Sequence, residues 1–389
     1  MLQAYLDNNA TTPLLAEVFE AMRPCLLEGF GNASSSHSRG RHARSILEQA
    51  RGRVAKLLGA SPGEIVFTSG GTEANNLAIL GLVNPGDHVI ASAIEHHAVL
   101  NVCRHLETVG VPVTFLRVDG HGRVNPDHVR AAMRPNTRLI SVMMANNETG
   151  VLQPVEEIGR IAAEADLWFH TDAVQAAGKV TIDVGRIQCH LLSLSAHKLH
   201  GPQGTGALYL RKGVPLRPLF HGGSQERGQR AGTECLAGAV GLGKAAELAG
   251  EWLAAGGAER MAALRDRLER TLLDRVPHTR VNGGQAPRVP NTSNILFEGV
   301  AGARLVAALD ERGILASTGS ACSSGSPEPP YVLMLMGLSP REAKGAVRFS
   351  LGKQTTNDEI DLVLERLPSE VEALRTRAER RMSNATEGV

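Results

Sequence analysis

The chain has 389 residues, 42% of them hydrophobic, which suits one large core plus a smaller one rather than a single small domain. Lys and Arg number 41 against 40 Asp and Glu, a formal net charge of +1, so nothing points to nucleic acid or an anionic membrane surface. No apolar run approaches the roughly 20 residues of a membrane span, and Met1-Leu-Gln-Ala-Tyr-Leu-Asp7 lacks the basic and apolar regions of a signal peptide.

A cytoplasmic protein is therefore expected. Its cysteines (Cys25, Cys103, Cys189, Cys235 and Cys322) are scattered with no CxxC pair, which argues against disulfides and against a metal site.

In chain order, Tyr5 to Pro13 reads as an extended arm with turns at Asp7-Asn8-Asn9 and Thr11-Thr12-Pro13. A polar loop, Asn32 to His37, leads to a helix in which Ala43, Ile46, Leu47, Ala50, Val54, Leu57 and Leu58 recur at helical spacing before Gly59 closes it. Strands and helices then alternate. Strands are expected at Ile65–Phe67, His88–Ala91, Val113–Val118, Arg138–Met144, Leu167–His170 and His190–Leu194, with helices at Thr72–Leu82 and Val155–Ala165. Gly206–Leu210 should run back antiparallel. The alternation predicts an α/β fold with a mostly parallel sheet covered on both faces, and ligands beyond the carboxyl ends of its strands.

From about Gly232 to Leu273 the chain reads as long helix, broken near Gly256-Gly257, and the domain boundary is placed there. Residues 13–255 form the expected large domain. Residues 1–12 and 256–389 form a smaller α+β domain, with strands at Ser293–Phe297 and Ala346–Ser350 and helices at Gly302–Arg312 and from Asn357. The tail after Arg377 is polar and expected to fray.

The chemistry-bearing segments sit just after strands. Leu191 to Ser195 leads into Ala196-His-Lys198, ahead of Gly201, Gly204 and Gly206. A lysine beyond a buried strand loses solvation, which favours the neutral amine and makes a Schiff-base nucleophile; the plain alternative is a loop lysine beside a glycine turn. In Ser69-Gly-Gly-Thr-Glu73, Gly71 and Thr72 open a helix and could cradle a phosphate, or simply cap the helix. Asp172 and Gln175 follow another strand. Asp172 could pair with a pyridinium nitrogen or act as a cap, and Gln175 could reach a ring oxygen. His96 could stack on a cofactor or move protons, although His97 is equally eligible. Ser195 and His197 could complete the phosphate contacts, and Asn147 could reach cofactor or substrate. Arg348, between apolar neighbours, needs either a substrate carboxylate or an internal ion pair. Cys322, in the polar, Gly-rich Ser317–Pro330 stretch, is the candidate nucleophile; the other four cysteines take structural roles.

Together, Leu6-Asp-Asn-Asn-Ala-Thr-Thr12, Thr68–Glu73, Glu95-His96, Asn146-Asn-Glu-Thr-Gly150, His170–Gln175, Ser195-Ala-His-Lys198, Gln225-Glu-Arg227 with Arg230–Glu234, and Gly319-Ser-Ala-Cys322 resemble the NifS/IscS-type cysteine desulfurases. The resemblance spans Tyr5 to the helix after Asn357. It departs from the family at Ala33, where many members have Pro, and at Cys235, where many have Asn. It implies a homodimeric enzyme of fold type I, dependent on pyridoxal 5'-phosphate (PLP), with a seven-stranded-type sheet in its large domain.

On this resemblance Lys198 holds PLP, Asp172 meets its pyridinium nitrogen, Gln175 its phenolic oxygen, and His96 stacks on the ring. Gly71, Thr72, Ser195 and His197 hold the phosphate, joined by Thr233 from the other subunit. Asn147 and Arg348 bind L-cysteine. Lys198 removes the Cα proton, Cys322 attacks the substrate sulfur and keeps it as a persulfide, and His96 assists the proton return that gives L-alanine. The sulfur would pass to an iron–sulfur scaffold or another acceptor. An aminotransferase of the same fold would leave Cys322 idle, and an inactive scaffold would leave the cofactor contacts without purpose.

Overall fold

The computed structural model describes residues 3–319 and 329–386. Cys322 thus lies outside the described residues. The strands, numbered along the chain, are β1 (Ala4–Tyr5), β2 (Ile65–Thr68), β3 (His88–Ser92), β4 (Val113–Leu116), β5 (Thr137–Ser141), β6 (Trp168–Asp172), β7 (Leu191–Ser195), β8 (Gly206–Leu210), β9 (Thr279–Val281), β10 (Thr292–Phe297), β11 (Ile314–Leu315) and β12 (Ala346–Ser350).

Every residue of β2, β3 and β7 is buried, on both faces of the strand, and most of them are apolar. They belong to a seven-stranded sheet of order β2-β8-β7-β6-β5-β3-β4. β7 pairs parallel to β6 and antiparallel to β8, so β8 is the one reversed strand of this sheet. The α/β architecture expected from the sequence is present.

One face of the sheet carries the helices Ser38–Leu58 and Leu236–Ala254. The first buries Ala43, Leu47, Ala50, Val54 and Leu58, and ends where Gly59 turns left-handed at φ +66°. The second is rich in Gly and Ala, which lets the two backbones meet: a Cβ on Gly243 would lie 2.8 Å from the Ala50 Cα. Helices Gly71–Leu80 and His97–Thr108 cover the opposite face, in a cluster with Val66, Val89, Ala91 and Leu208.

A separate apolar cluster joins Ala4, Leu6, Leu268, Leu272, Ile295, Phe297, Val347, Phe349 and Val363. It packs under the antiparallel sheet β12-β10-β9 and beside the two-stranded parallel pair β1-β11. The arm from Asp7 to Thr12 crosses from this cluster to the large sheet. The Asn8 side chain donates to Ser350 O (3.0 Å), and the Thr12 hydroxyl to His197 O (2.8 Å).

Several segments differ from expectation. Ala16–Leu27 and His97–Thr108 are helices that the sequence reading leaves unassigned. The last helix runs from Asn357 to Thr386 rather than fraying after Arg377, since its Ala, Glu, Arg and Met content favours helix. Cys235, expected in a structural role, is exposed ahead of the helix Leu236–Ala254, whereas Cys103 and Cys189 are buried. Burial pushes both of the latter thiols up to about 12.

Candidate active site

A cavity of about 240 Å³ opens at the carboxyl ends of the parallel strands. Each wall follows from the chain leaving a strand. β2 turns through Ser69-Gly70 into the helix Gly71–Leu80, which presents Gly71, Thr72 and Asn75. β3 leads to His96, β5 to Met143 and Asn147, β6 ends at Asp172, and β7 ends at Ser195 before one helical turn carries His197 and Lys198. Arg348 enters from β12, and Asn9 and Ala10 from the arm.

Lys198 Nζ donates to the main-chain oxygens of Asn9 (2.5 Å) and Ala10 (2.6 Å), which hold the amine at the cavity wall. The Asp172 carboxylate is oriented from two sides: Oδ1 accepts from Val174 N (2.9 Å) and Oδ2 from Asn75 Nδ2 (2.7 Å). No helix follows Asp172, so it does not cap one. Gln175 donates through Nε2 to Asn9 O (2.9 Å).

The structure separates His96 from His97, which the sequence leaves open, and Asn147 from its neighbour Asn146. His96 lines the cavity, while His97 turns away and its ring meets that of Tyr331 at 5.3 Å. His96 Nδ1 accepts from Ala98 N (3.1 Å), which in the neutral ring places the proton on Nε2. Burial lowers the His96 pKa, so the neutral ring dominates at neutral pH. His197, with Nδ1 3.1 Å from the Thr11 hydroxyl, is pushed down to about 4 by burial and then by Lys198.

Of the Asn pair, Asn146 is structural: its Oδ1 accepts from the main-chain nitrogens of Glu148 and Thr149, both at 3.0 Å. Asn147 faces the cavity, and its buried Oδ1 has no hydrogen-bond partner.

Arg348 makes the internal ion pair and also borders the cavity. Nη2 donates to Asp7 Oδ1 (2.6 Å) and Nη1 to Asn147 O (3.0 Å), yet the side chain still lines the cavity and its buried Nε is unpartnered. Thr233 is exposed and does not line the cavity. The sequence reading missed Asn9, Asn75 and the buried Lys179, whose Nζ donates to Gln175 Oε1 (2.7 Å) and Asn9 Oδ1 (3.1 Å). It also missed Glu95 and Glu148, buried carboxyls that each keep one oxygen without a partner.

These features fit PLP. A helix N-terminus with Gly71 and Thr72 meets Ser195 and His197, a ready anion cradle. A Cβ on Gly71 would lie 2.8 Å from Val174 Cγ2, so only glycine lets the backbone approach there. The orphaned Asn75 Oδ1 and Asn147 Oδ1 mark polar surface that awaits a ligand.

Residues 4–363 match the class-V aminotransferase family model, and the chain belongs to that family. It is a PLP-dependent enzyme, and within the family its likeness is to cysteine desulfurases. It is 48% identical over 378 residues to the cysteine desulfurase IscS of Dictyoglomus turgidum, covering 96% of each chain. A solved NifS-like protein superposes with a TM-score of 0.89 at 37% identity, over 96% of this chain and 100% of that one. The solved structure of SspA in complex with cysteine gives 0.80 at 39% identity, over 91% of this chain and 100% of that one.

Proposed function

We propose that the chain is a cysteine desulfurase that converts L-cysteine to L-alanine and takes the sulfur onto Cys322 as a persulfide. The observation that carries this is the gathering of Lys198, Asp172, Gln175, His96, Asn147 and Arg348 around one cavity at the strand ends. When bound, PLP supplies an electron-poor ring that stores the electron pair left as the substrate's Cα–H bond breaks.

The chain's own groups do the rest. The Gly71–Thr72 turn, Ser195 and His197 hold the phosphate, and the Asp172 carboxylate, fixed by Val174 N and Asn75, holds the pyridinium proton. Arg348 and Asn147 orient the substrate carboxylate. Lys198 takes the Cα proton. The Cys322 thiolate attacks the substrate sulfur, the carbon–sulfur bond breaks as the sulfur–sulfur bond forms, and the electron pair leaves with carbon. His96, neutral with its proton on Nε2, gives a proton to that carbon, and Lys198 returns its own proton to Cα. Cysteine and one thiol thus become alanine and one persulfide, with no outside oxidant.

We further place residues 13–255 in a large domain and residues 1–12 and 256–389 in a small one, which the separate apolar cluster around Leu6, Ile295 and Phe349 supports. A homodimer is supported by Thr233, exposed and away from the cavity of its own chain, and by the exposed Phe19, Leu26, Leu27 and Phe30. The expected setting is the cytoplasm, and the sulfur passes to an iron–sulfur scaffold or another acceptor. No helix among the described residues is long and apolar enough to cross a membrane.

The test is Cys322→Ala in the PLP-loaded enzyme. The expected variant keeps the visible absorbance of the cofactor and loses alanine formation from L-cysteine. Undiminished alanine production would overturn the assignment of Cys322 as nucleophile.

A further inference from the structure

Lys179 is buried, carries a titratable amine, and has no part in the chemistry above. It does not line the cavity, so it touches neither cofactor nor substrate. Its Nζ is 2.7 Å from Gln175 Oε1 and 3.1 Å from Asn9 Oδ1. Both contacts are acceptors, and both are needed to satisfy an amine taken out of water.

The identity of each amide atom is fixed by its partners. A lysine donor requires an oxygen on Gln175, and the main-chain oxygen of Asn9, 2.9 Å from Nε2, requires an N–H. Asn9 is itself pinned: its Nδ2 donates to Asn147 O (3.1 Å) and Thr292 Oγ1 (2.9 Å), and its Oδ1 also accepts from Asn291 Nδ2 (3.0 Å). Gln175 Nε2 carries two hydrogens, and Asn9 O uses one. Gln175 lines the cavity, so the second hydrogen is available to an acceptor there.

An amide is nearly symmetric in shape. Asn9 O holds the Nε2 side of this amide and Lys179 the Oε1 side; without Lys179 the buried Oε1 has lost its donor, and the amide is free to rotate in search of one and carry its N–H off the acceptor in the cavity.

We propose that Lys179 is a positioning residue that locks the Gln175 amide so that an N–H, and not the carbonyl oxygen, faces the ring oxygen of the cofactor. The proposal rests on the reading that Gln175 meets that oxygen. Burial, followed by Lys198 and Arg348, lowers the Lys179 pKa, and a neutral amine still offers the two N–H groups that its two acceptors need. The charged and titratable groups that interact electrostatically with Lys179 are Lys198, Arg348 and His200.

The experiment is a pH titration of the visible band of bound PLP in the purified holoenzyme. A hydrogen bond to the ring oxygen favours its ionised form, so losing the donor moves the midpoint upward. Lys179→Met should raise it by about one pH unit, and Gln175→Met by a similar amount. The double variant should show no further shift, because both changes remove one interaction. Lys179→Gln, which keeps a neutral donor, should stay at the wild-type midpoint.

A wild-type midpoint in Lys179→Met, or additive shifts in the double variant, overturns the proposal. An unshifted Gln175→Met removes the ring-oxygen reading and the proposal with it. A shift in Lys179→Met beside an unshifted Gln175→Met shows a direct charge effect and also refutes the lock. Should Lys179→Met not fold, Lys179→Gln decides: a wild-type midpoint supports the lock, and a midpoint equal to that of Gln175→Met refutes it.

Discussion

Among the buried arginines, Arg51 and Arg348 are treated differently. Arg51, on the helix Ser38–Leu58, is saturated. Its Nη1 and Nη2 form a bidentate pair with Glu226 at 2.7 and 2.9 Å, Nη1 also reaches Ile65 O (2.6 Å), and Nε reaches Glu48 (3.1 Å). Glu226 in turn accepts from Phe67 N (3.0 Å), and its side chain is 2% exposed, as is that of Arg51. Arg348 at the cavity is left short. It has a single-contact pair with Asp7, one main-chain acceptor, and an Nε with no partner. Both arginines are desolvated, but only the second keeps donor capacity beside open space. That is the difference between an ion pair that anchors a loop to a sheet edge and one that holds an arginine ready for a carboxylate.

The largest expected effect comes from breaking the saturated pair. Arg51→Met leaves Glu226 buried without its counter-charge and should cost about 3–5 kcal/mol in urea unfolding. Adding Glu226→Leu should recover much of it, since an apolar pair of similar volume replaces the ions. A loss below about 1 kcal/mol in the single variant would place Arg51 among ordinary surface pairs and dissolve the contrast.

Arg348→Lys sharpens the other side. The lysine retains a positive charge for Asp7 but cannot grip a carboxylate with two parallel N–H groups. The expected result is a fall of about a hundredfold in kcat/KM for L-cysteine, about 3 kcal/mol, with a smaller loss of stability than Arg51→Met causes. The comparison fails if kcat/KM is unchanged while stability drops as far as in Arg51→Met.

The sequence makes the large sheet legible because strands buried on both faces read as mostly apolar runs without polar alternation, as in Leu191-Leu-Ser-Leu. Strand ends fall within a few residues of expectation, and the chemistry-bearing segments that follow them converge on one cavity. Other elements carry weaker signals. The helix Ala16–Leu27 buries only Val18 and contains Pro24, so it shows no apolar stripe. The helix His97–Thr108 does carry one, in Val99, Leu100, Cys103 and Leu106, but it begins inside Glu95-His-His97, which reads as a loop. β1 and β11, two residues each, are too short for any pattern. Asn9 and Lys179 acquire meaning only through contacts far along the chain, such as Lys179 with Asn9. In the sequence Asn9 is a turn residue and Lys179 is unremarked. Local pattern reports burial and punctuation, and neither reveals which amide another side chain holds in place.

A pH-dependent effect extends the contrast from cations to a carboxylate. Glu148 is 1% exposed, and its Oε2 has no hydrogen-bond partner among the described residues. Burial, opposed by Arg348, pushes its pKa from 4.5 up to about 7. A carboxyl whose folded pKa is raised contributes most when both states are protonated, below about pH 4.5. As pH rises toward 7 the unfolded chain releases this proton while the folded chain still binds it, so stability falls across that window. Glu148→Gln removes the titration. The variant should therefore gain about 3 kcal/mol relative to the parent between pH 4.5 and pH 8, read from paired urea melts along the pH series. If the gap between parent and variant does not change with pH, Glu148 finds a charge partner in the folded state and is as well compensated as the Arg51 site.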